Sequence, residues 1–248
     1  MNIFNRLSAK LLFAFLLVGI SLSSYGQLFK GEAILGGNLS QVEGDMVSGY
    51  RKLGFCGGMG IQFPFSFKKN PIKPWAASME ILFTQRGARQ KNYNYKSTDT
   101  TIDRIYTYYK FKYLLQNNYV CLNFMLHYTD KEKYTIGTGL AYNRLVYYKE
   151  IEFDVLQTYD SVARFKSDDL MFLFDLRLRV WQQLKAGFRF EYSLMPIRTR
   201  HFQPSVYYLE QTRRQYNNTL SLYLVYVFNE KKTNTDNEKY KKDKTYYY

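Results

Sequence analysis

Seven charged side chains stand at alternate positions in runs that are otherwise apolar, and they are the chain's first candidates for chemistry. In 170–181, Asp175, Arg177 and Arg179 alternate with Leu176, Leu178 and Val180; in 184–194, Arg189 and Glu191 alternate with Phe188, Phe190 and Tyr192. Glu80 and Arg86 hold equivalent places in 75–89. Carboxylates and guanidiniums gathered on one face can pair through charge-assisted hydrogen bonds, whereas the same groups left single and buried would be very costly. Glu80, Arg86, Asp175, Arg177, Arg179, Arg189 and Glu191 are therefore expected to form a lumen charge network that plugs the molecule. A narrow ion path and a ligand site are the alternatives.

Other reactive residue types are sparse. The only histidines are His127 and His201. His201 with Ser205 or Ser161 and an acid such as Asp160 would be the ingredients of a hydrolytic or acyl-transfer site. Their spacing matches no motif, so a solvated loop histidine is the plainer reading and no catalytic residue is assigned. One loop histidine without a Cys/His/Asp cluster gives no metal site, and no cofactor-binding residue is expected. The glycine-rich stretch GGNLSQVEGDMVSGYRKLGFCGG, 36–58, is not a phosphate loop, because Lys52 precedes Leu53 rather than Ser or Thr and leads into a strand. Glu43, Gly44 and Asp45 do not supply the alternating acids of a calcium loop. Its glycines Gly36, Gly37, Gly57, Gly58 and Gly60 instead read as relief of crowding in the strands of a narrow barrel, with Gly44 and Gly49 shaping an outer loop.

The elements that would position these side chains are strands. Period-two alternation recurs near 31–41, 54–65, 75–89, 107–128, 133–149, 170–181, 184–194 and 214–228. That is eight runs, most of them longer than the 9 to 11 residues a tilted strand needs to cross a bilayer. Only Gln182 and Gln183 separate the sixth and seventh, which makes those two an antiparallel hairpin. The connections 42–53, 90–106, 150–168 and 199–213 are long, and those at 129–132 and 182–183 are short; 66–74 is long for a turn. Alternating long and short links are the pattern of an outer-membrane barrel. A soluble sandwich would also alternate, with its apolar face inward, and composition cannot say which face is inside. The fold class expected is all-β: an eight-stranded antiparallel up-and-down transmembrane β-barrel, closed because lipid tolerates no open edge.

The N-terminus agrees. Arg6 and Lys10 precede an apolar run, 11–22, followed by small Ser24 and Gly26, the layout of a secretory leader spanning 1–26. Losing Arg6 and Lys10 with that leader takes the formal charge from +14 to about +12. No later segment offers 18 consecutive apolar residues for a membrane helix. The barrel would occupy 27–228, and the polar, lysine-rich 229–248 would be a disordered periplasmic tail. Aromatics make up 19% of the chain, 25 Tyr and 19 Phe against 2 Trp. Such residues favour pleated surfaces and membrane interfaces, and Tyr142, Tyr147, Tyr148, Tyr192, Tyr207 and Tyr208 lie near strand ends. Cys56 and Cys121 could form a disulfide in an oxidising compartment, or pack apart as small apolar groups.

The run GGNLSQVEGDMVSGYRKLGFCGGMGI, the later ASMEILFTQRGARQ and the ending YNNTLSLYLVYVF resemble the PorT-like outer-membrane β-barrel family of Gram-negative bacteria, over about 31–228. The resemblance implies an eight-stranded outer-membrane barrel with both termini periplasmic. It implies no single activity, since some relatives serve a protein-secretion and surface-attachment pathway, and it carries over no catalytic residue. The function expected is a non-enzymatic structural or binding protein acting through loops and tail. A secretion subunit is the alternative, and a lipid-modifying enzyme a distant third. The partners expected are outer-membrane lipid and lipopolysaccharide, whose phosphates suit the basic excess, and protein partners or the acidic cell-wall polymer through Lys231, Lys232, Lys239, Lys241, Lys242 and Lys244. Nucleic acid is not expected, although KNYNYKSTDTTIDR at 91–104 interleaves bases with tyrosines.

Overall fold

The computed structural model describes residues 29–45, 47–66, 74–95, 109–131, 133–152, 155–156, 164–202, 211–228 and 230. The expected leader, and all of the expected tail except Glu230, lie outside the described residues.

Among the described residues there are ten strands: β1 Lys30–Glu43, β2 Lys52–Phe65, β3 Trp75–Tyr95, β4 Tyr109–Asp130, β5 Tyr134–Glu152, β6 Val155–Leu156, β7 Asp168–Trp181, β8 Leu184–Ser193, β9 Arg198–Phe202 and β10 Gln211–Val227. Eight of them follow one another around the sheet, in the order β1-β2-β3-β4-β5-β7-β8-β10. The antiparallel pairing of β1 with β10, from Glu32↔Val227 to Glu43↔Tyr216, closes the sheet on itself. The short strands are outgrowths: β6 pairs antiparallel with the end of β5, and β9 pairs with the start of β10.

The eight alternating runs are the eight long strands, but the hairpins reach further than periodicity indicates. β3 continues to Tyr95 and β4 begins at Tyr109, paired out to Tyr95↔Tyr109 beyond an irregularity between Gln90 and Tyr93. β5 likewise runs on to Glu152, and all of β9 but Arg198 lies inside the link assigned to 199–213. Alternation reports a face that is apolar. A two-stranded ribbon standing in water needs only its backbone ladder, so these extensions leave no such pattern.

Which face is inside is settled by exposure. Leu35, Leu53 and Met59 are 71%, 72% and 76% exposed, and Ile81, Phe124, Leu140, Leu176 and Leu222 also point outward. The alternate positions, among them Glu32, Glu80, Asp175, Arg177 and Arg189, are buried within the ring. This is the reverse of a water-soluble sandwich. Rings of aromatics bound the apolar band. At the end holding the short turns, Trp75 packs edge-on against Tyr128 with centroids 5.0 Å apart, Tyr226 meets Phe228 at 5.0 Å, and Trp181 is 70% exposed. At the end holding the long loops, Phe55 approaches Phe83 at 5.4 Å, Tyr192 stacks on Tyr216 at 6.3 Å, and Tyr142, Tyr147 and Tyr148 are exposed. Tyr207 and Tyr208 lie outside the described residues.

The glycines in the strands make room for one side chain in particular. Tyr223 on β10 stands directly opposite Gly36 of β1 and Gly187 of β8. A Cβ on Gly36 would collide with the Tyr223 Cβ, and one on Gly187 with its Cζ. The ring therefore lies flat along the wall, over Gly187, and carries its hydroxyl to β7.

A charge-filled lumen as the candidate functional site

Alternation on β7 and β8 puts Asp175, Arg177 and Arg189 on the inner face, and register places Asp175 directly opposite Arg189. Arg177 is the hub. Its Nη1 donates to both oxygens of Glu32 at 3.0 and 3.1 Å, its Nη2 to Glu80 Oε1 at 2.6 Å, and its Nε to Asp175 Oδ2 at 2.7 Å. Arg189 donates to Glu80 Oε2 and Oε1 at 2.8 and 3.1 Å, and to Asp175 Oδ1 at 3.3 Å. The Tyr223 hydroxyl donates to Asp175, and Asn123 Nδ2 to Glu80 Oε2 at 3.1 Å. Three carboxylates and two guanidiniums thus interlock, each within hydrogen-bond reach of a partner.

Toward the loop end lie further layers. Arg86 donates to Glu191 Oε2 at 3.0 Å, its Nη1 lies 2.9 Å from Met171 Sδ, and its guanidinium sits 5.5 Å from the Tyr119 ring centroid. Asp169 accepts from Ser193 Oγ and Asn217 Nδ2, both at 2.9 Å. Above these, Arg198 grips Glu150 with two hydrogen bonds of 2.7 and 3.1 Å and lies 4.0 Å over the Phe165 ring centroid. Val42, Ala88, Leu115, Phe165 and Ile197 add an apolar layer there.

Six of the seven residues singled out from sequence are buried in these layers: Glu80, Arg86, Asp175, Arg177, Arg189 and Glu191. Arg179 sits apart, at the turn-end mouth, where it pairs with Glu230 at 2.9 Å and donates to the Gln182 carbonyl at 2.6 Å. A cavity of about 10 Å³, bordered by Cys56, Arg86, Cys121 and Glu191, interrupts the filling. It admits a single water.

Periodicity did not reveal Glu32, Asp169, Glu150, Arg198 and Tyr223 as members. Glu150 has a specific reason. Asn143 on β5 points inward, and strict alternation would send Glu150 outward, but the extra residue Val146 opposite the Asn118/Tyr119 step reverses the parity. Arg198 stands outside every alternating run.

His127 is fully buried on β4, with Nε2 2.8 Å from Ser78 Oγ. A serine beside a histidine is the start of a nucleophilic site. Here both are enclosed, and Nδ1 has no partner to orient it. His201 Nδ1 lies 2.7 Å from Thr212 Oγ1 on the β9–β10 ribbon; Ser161, Ser205 and Asp160 lie outside the described residues. No three His, Cys, Asp or Glu among the described residues could share a metal ion. Cys56 and Cys121 are free thiols, buried on β2 and β4 with β3 between them, so no bridge joins them. Gly44 and Gly49 turn the β1–β2 loop with φ of 85° and 99°. In that loop burial pushes the Asp45 carboxyl up to about 7, against the Val47 amide and the nearby Arg198, which pull it down.

No family model matches the chain, and no curated protein sequence matches it. Among solved structures the chain is similar to Ail, the attachment invasion locus protein of Yersinia pestis, with 11% identity and a TM-score of 0.41 over 82% of this chain and 99% of that one. It is similar to Neisserial surface protein A, with 10% identity and a TM-score of 0.39 over 80% and 96%. The outer membrane protein OprG from Pseudomonas aeruginosa follows, with 12% identity and a TM-score of 0.36 over 82% and 97%.

Proposed function

We propose that this chain is a non-enzymatic β-barrel of the Gram-negative outer membrane, of PorT-like type, plugged by its own side chains and acting through its outer loops and periplasmic tail. One observation carries the reading. Between the two aromatic rings, the outward positions of all eight long strands hold no Asp, Glu, Lys or Arg, while the inner positions hold the ion-pair network. Along β5 that band runs from Tyr134 to Tyr142, close to the 9 to 11 residues with which a tilted strand spans hydrocarbon. Water would penalise such an exterior, and lipid rewards it.

The short-turn end would face the periplasm together with both termini. At the loop end Arg51, Arg89, Arg164, Lys166, Arg213 and Arg214 are exposed, a charge pattern suited to lipopolysaccharide phosphates. Protein partners would be met through the lysine-rich tail. The folded protein should migrate faster on a detergent gel unboiled than boiled, and should carry no steady current in planar bilayers. Equal mobility, with the protein recovered from the soluble periplasm, would overturn the membrane barrel, and steady wild-type conductance would remove the plug. Crosslinked pull-downs with and without 229–248 separate a free-standing protein from a secretion subunit, which would bring down stoichiometric partners only when the tail is present.

A further inference from the structure

The turn-end mouth holds a second charged cluster, separate from the plug. Lys30 Nζ, Arg179 Nη2 and Lys185 Nζ lie 3.0, 2.9 and 3.2 Å from a single oxygen, Glu230 Oε1. Those cations come from β1, β7 and β8, and the carboxylate comes from three residues beyond the end of β10. Hydrogen bonds from Val227 N to the Gln183 carbonyl and from Phe228 N to the Gly31 carbonyl, at 2.9 and 2.7 Å, steer the chain to that spot.

The match is incomplete in charge and in hydrogen bonding. Within ion-pair distance three cations meet one carboxylate, Glu32 of the plug being the next anion to act on Lys185, and the Glu230 side chain is only 4% exposed, yet its other oxygen, Oε2, is buried with no partner. A planar monoanion spends one oxygen on all three donors. A tetrahedral dianion would present an oxygen to each and balance two charges rather than one. Burial works to raise the Glu230 carboxyl, but Lys185 and Lys30 outweigh it and hold the group below its ordinary value, so it stands there as an anion.

We propose that Lys30, Arg179 and Lys185 form an anion site for a phosphate-type dianion, which the chain's own Glu230 occupies as a competing internal ligand. Anion binding would displace Glu230 and with it the root of the lysine-rich tail, whichever side of the membrane this mouth faces. A protease binds the residues around its cut in extended form, so freeing Glu230 from the mouth would speed cleavage at the bonds that follow it.

The test uses the full chain in phosphatidylcholine bicelles, with inorganic phosphate as probe and chloride at matched ionic strength as control. Glu230→Gln should bind phosphate by calorimetry about tenfold or more tightly than the wild type, and the double variant E230Q/K30Q should lose that gain. In the wild type, phosphate should speed trypsin cleavage after Lys231 and Lys232, followed by mass, where chloride does not. If bicelles containing phosphatidic acid, a phosphomonoester, release the tail without added phosphate, the ligand is a lipid headgroup; if only free phosphate does so, it is soluble. Equal phosphate affinity in E230Q and wild type would overturn the proposal, leaving the cluster a structural clamp. Should E230Q fail the gel-mobility check for folding, wild-type cleavage indifferent to phosphate decides against it in the same way.

Discussion

Replacing Arg177 by Met should be the most damaging single change in the barrel, and its cost can be worked from the contacts. The side chain is 1% exposed and holds Glu32, Glu80 and Asp175 at 2.6 to 3.1 Å. Methionine keeps most of the volume but leaves three buried carboxylates facing Arg189 alone. Removing one partner of a buried ion pair typically costs about 3–5 kcal/mol, a large share of a folding free energy of about 5–15 kcal/mol. The variant is measured by urea unfolding in lipid vesicles, read by the unboiled gel shift. Glu32 supplies an internal control, because it takes two hydrogen bonds from Arg177. Changing Glu32 to Gln in the R177M background restores the original imbalance of one negative charge in this layer, and should recover about 2 kcal/mol as a coupling energy. An R177M chain within about 0.5 kcal/mol of wild type, or no recovery from E32Q, would show that the network contributes nothing as a network.

Three further outcomes follow from the same contacts. A raised carboxyl is held neutral by the fold, so the Asp45 contribution is complete below its unfolded value near 3.8 and is lost as pH climbs through about 7; Asp45→Asn should flatten the urea midpoint between pH 4 and 7 and raise it at pH 8, and an unchanged profile would contradict this. Gly187→Ala should lower stability by about 1–3 kcal/mol, because its Cβ would collide with Tyr223 Cζ and lie 2.8 Å from the hydroxyl; the same urea assay reads it, and a neutral result would mean the ring can move without cost. Cys56 and Cys121 should resist maleimide in the folded barrel and react after boiling, with no mobility change on omitting reductant; labelling of the native protein would show that solvent reaches the lumen.

Much of this molecule is legible in alternation alone. Leu176 and Arg177 must face opposite ways in any strand, so the partition of β7 and β8 into an apolar and a charged face needed no coordinates. What alternation cannot convey is sign: the same pattern builds a sandwich if the leucines turn inward. Exposure of Leu35 and Met59 supplies the sign. The partners of the hub were hidden for a different reason. Glu32 shares its face with Ile34 and Gly36, so no contrast marks it, and Tyr223 looks like any aromatic until Gly36 and Gly187 are seen on either side of it. Register brings these together, and register is a property of strand pairing that spacing within one strand does not contain. Glu150 lay just past the run read as 133–149, with its parity shifted by a bulged residue, and Glu230 lies beyond the last strand, where no pattern applies.

The provenance of the hub's ligands bears on how the chain can assemble. Arg177 sits on β7, while Glu32 lies 145 positions earlier in the chain on β1 and Glu80 97 positions earlier on β3. The β7–β8 hairpin supplies both guanidiniums with only Asp175 beside them, and the first three strands supply the other two carboxylates. Neither portion could rest in hydrocarbon alone with its charges unanswered. Insertion strand by strand is thereby disfavoured, because Glu32 and Glu80 lack Arg177 until β7 faces them across the ring. In the membrane placement proposed above, a sheet short of its β1–β10 seam leaves Glu32 away from Arg177, which disfavours a half-inserted form.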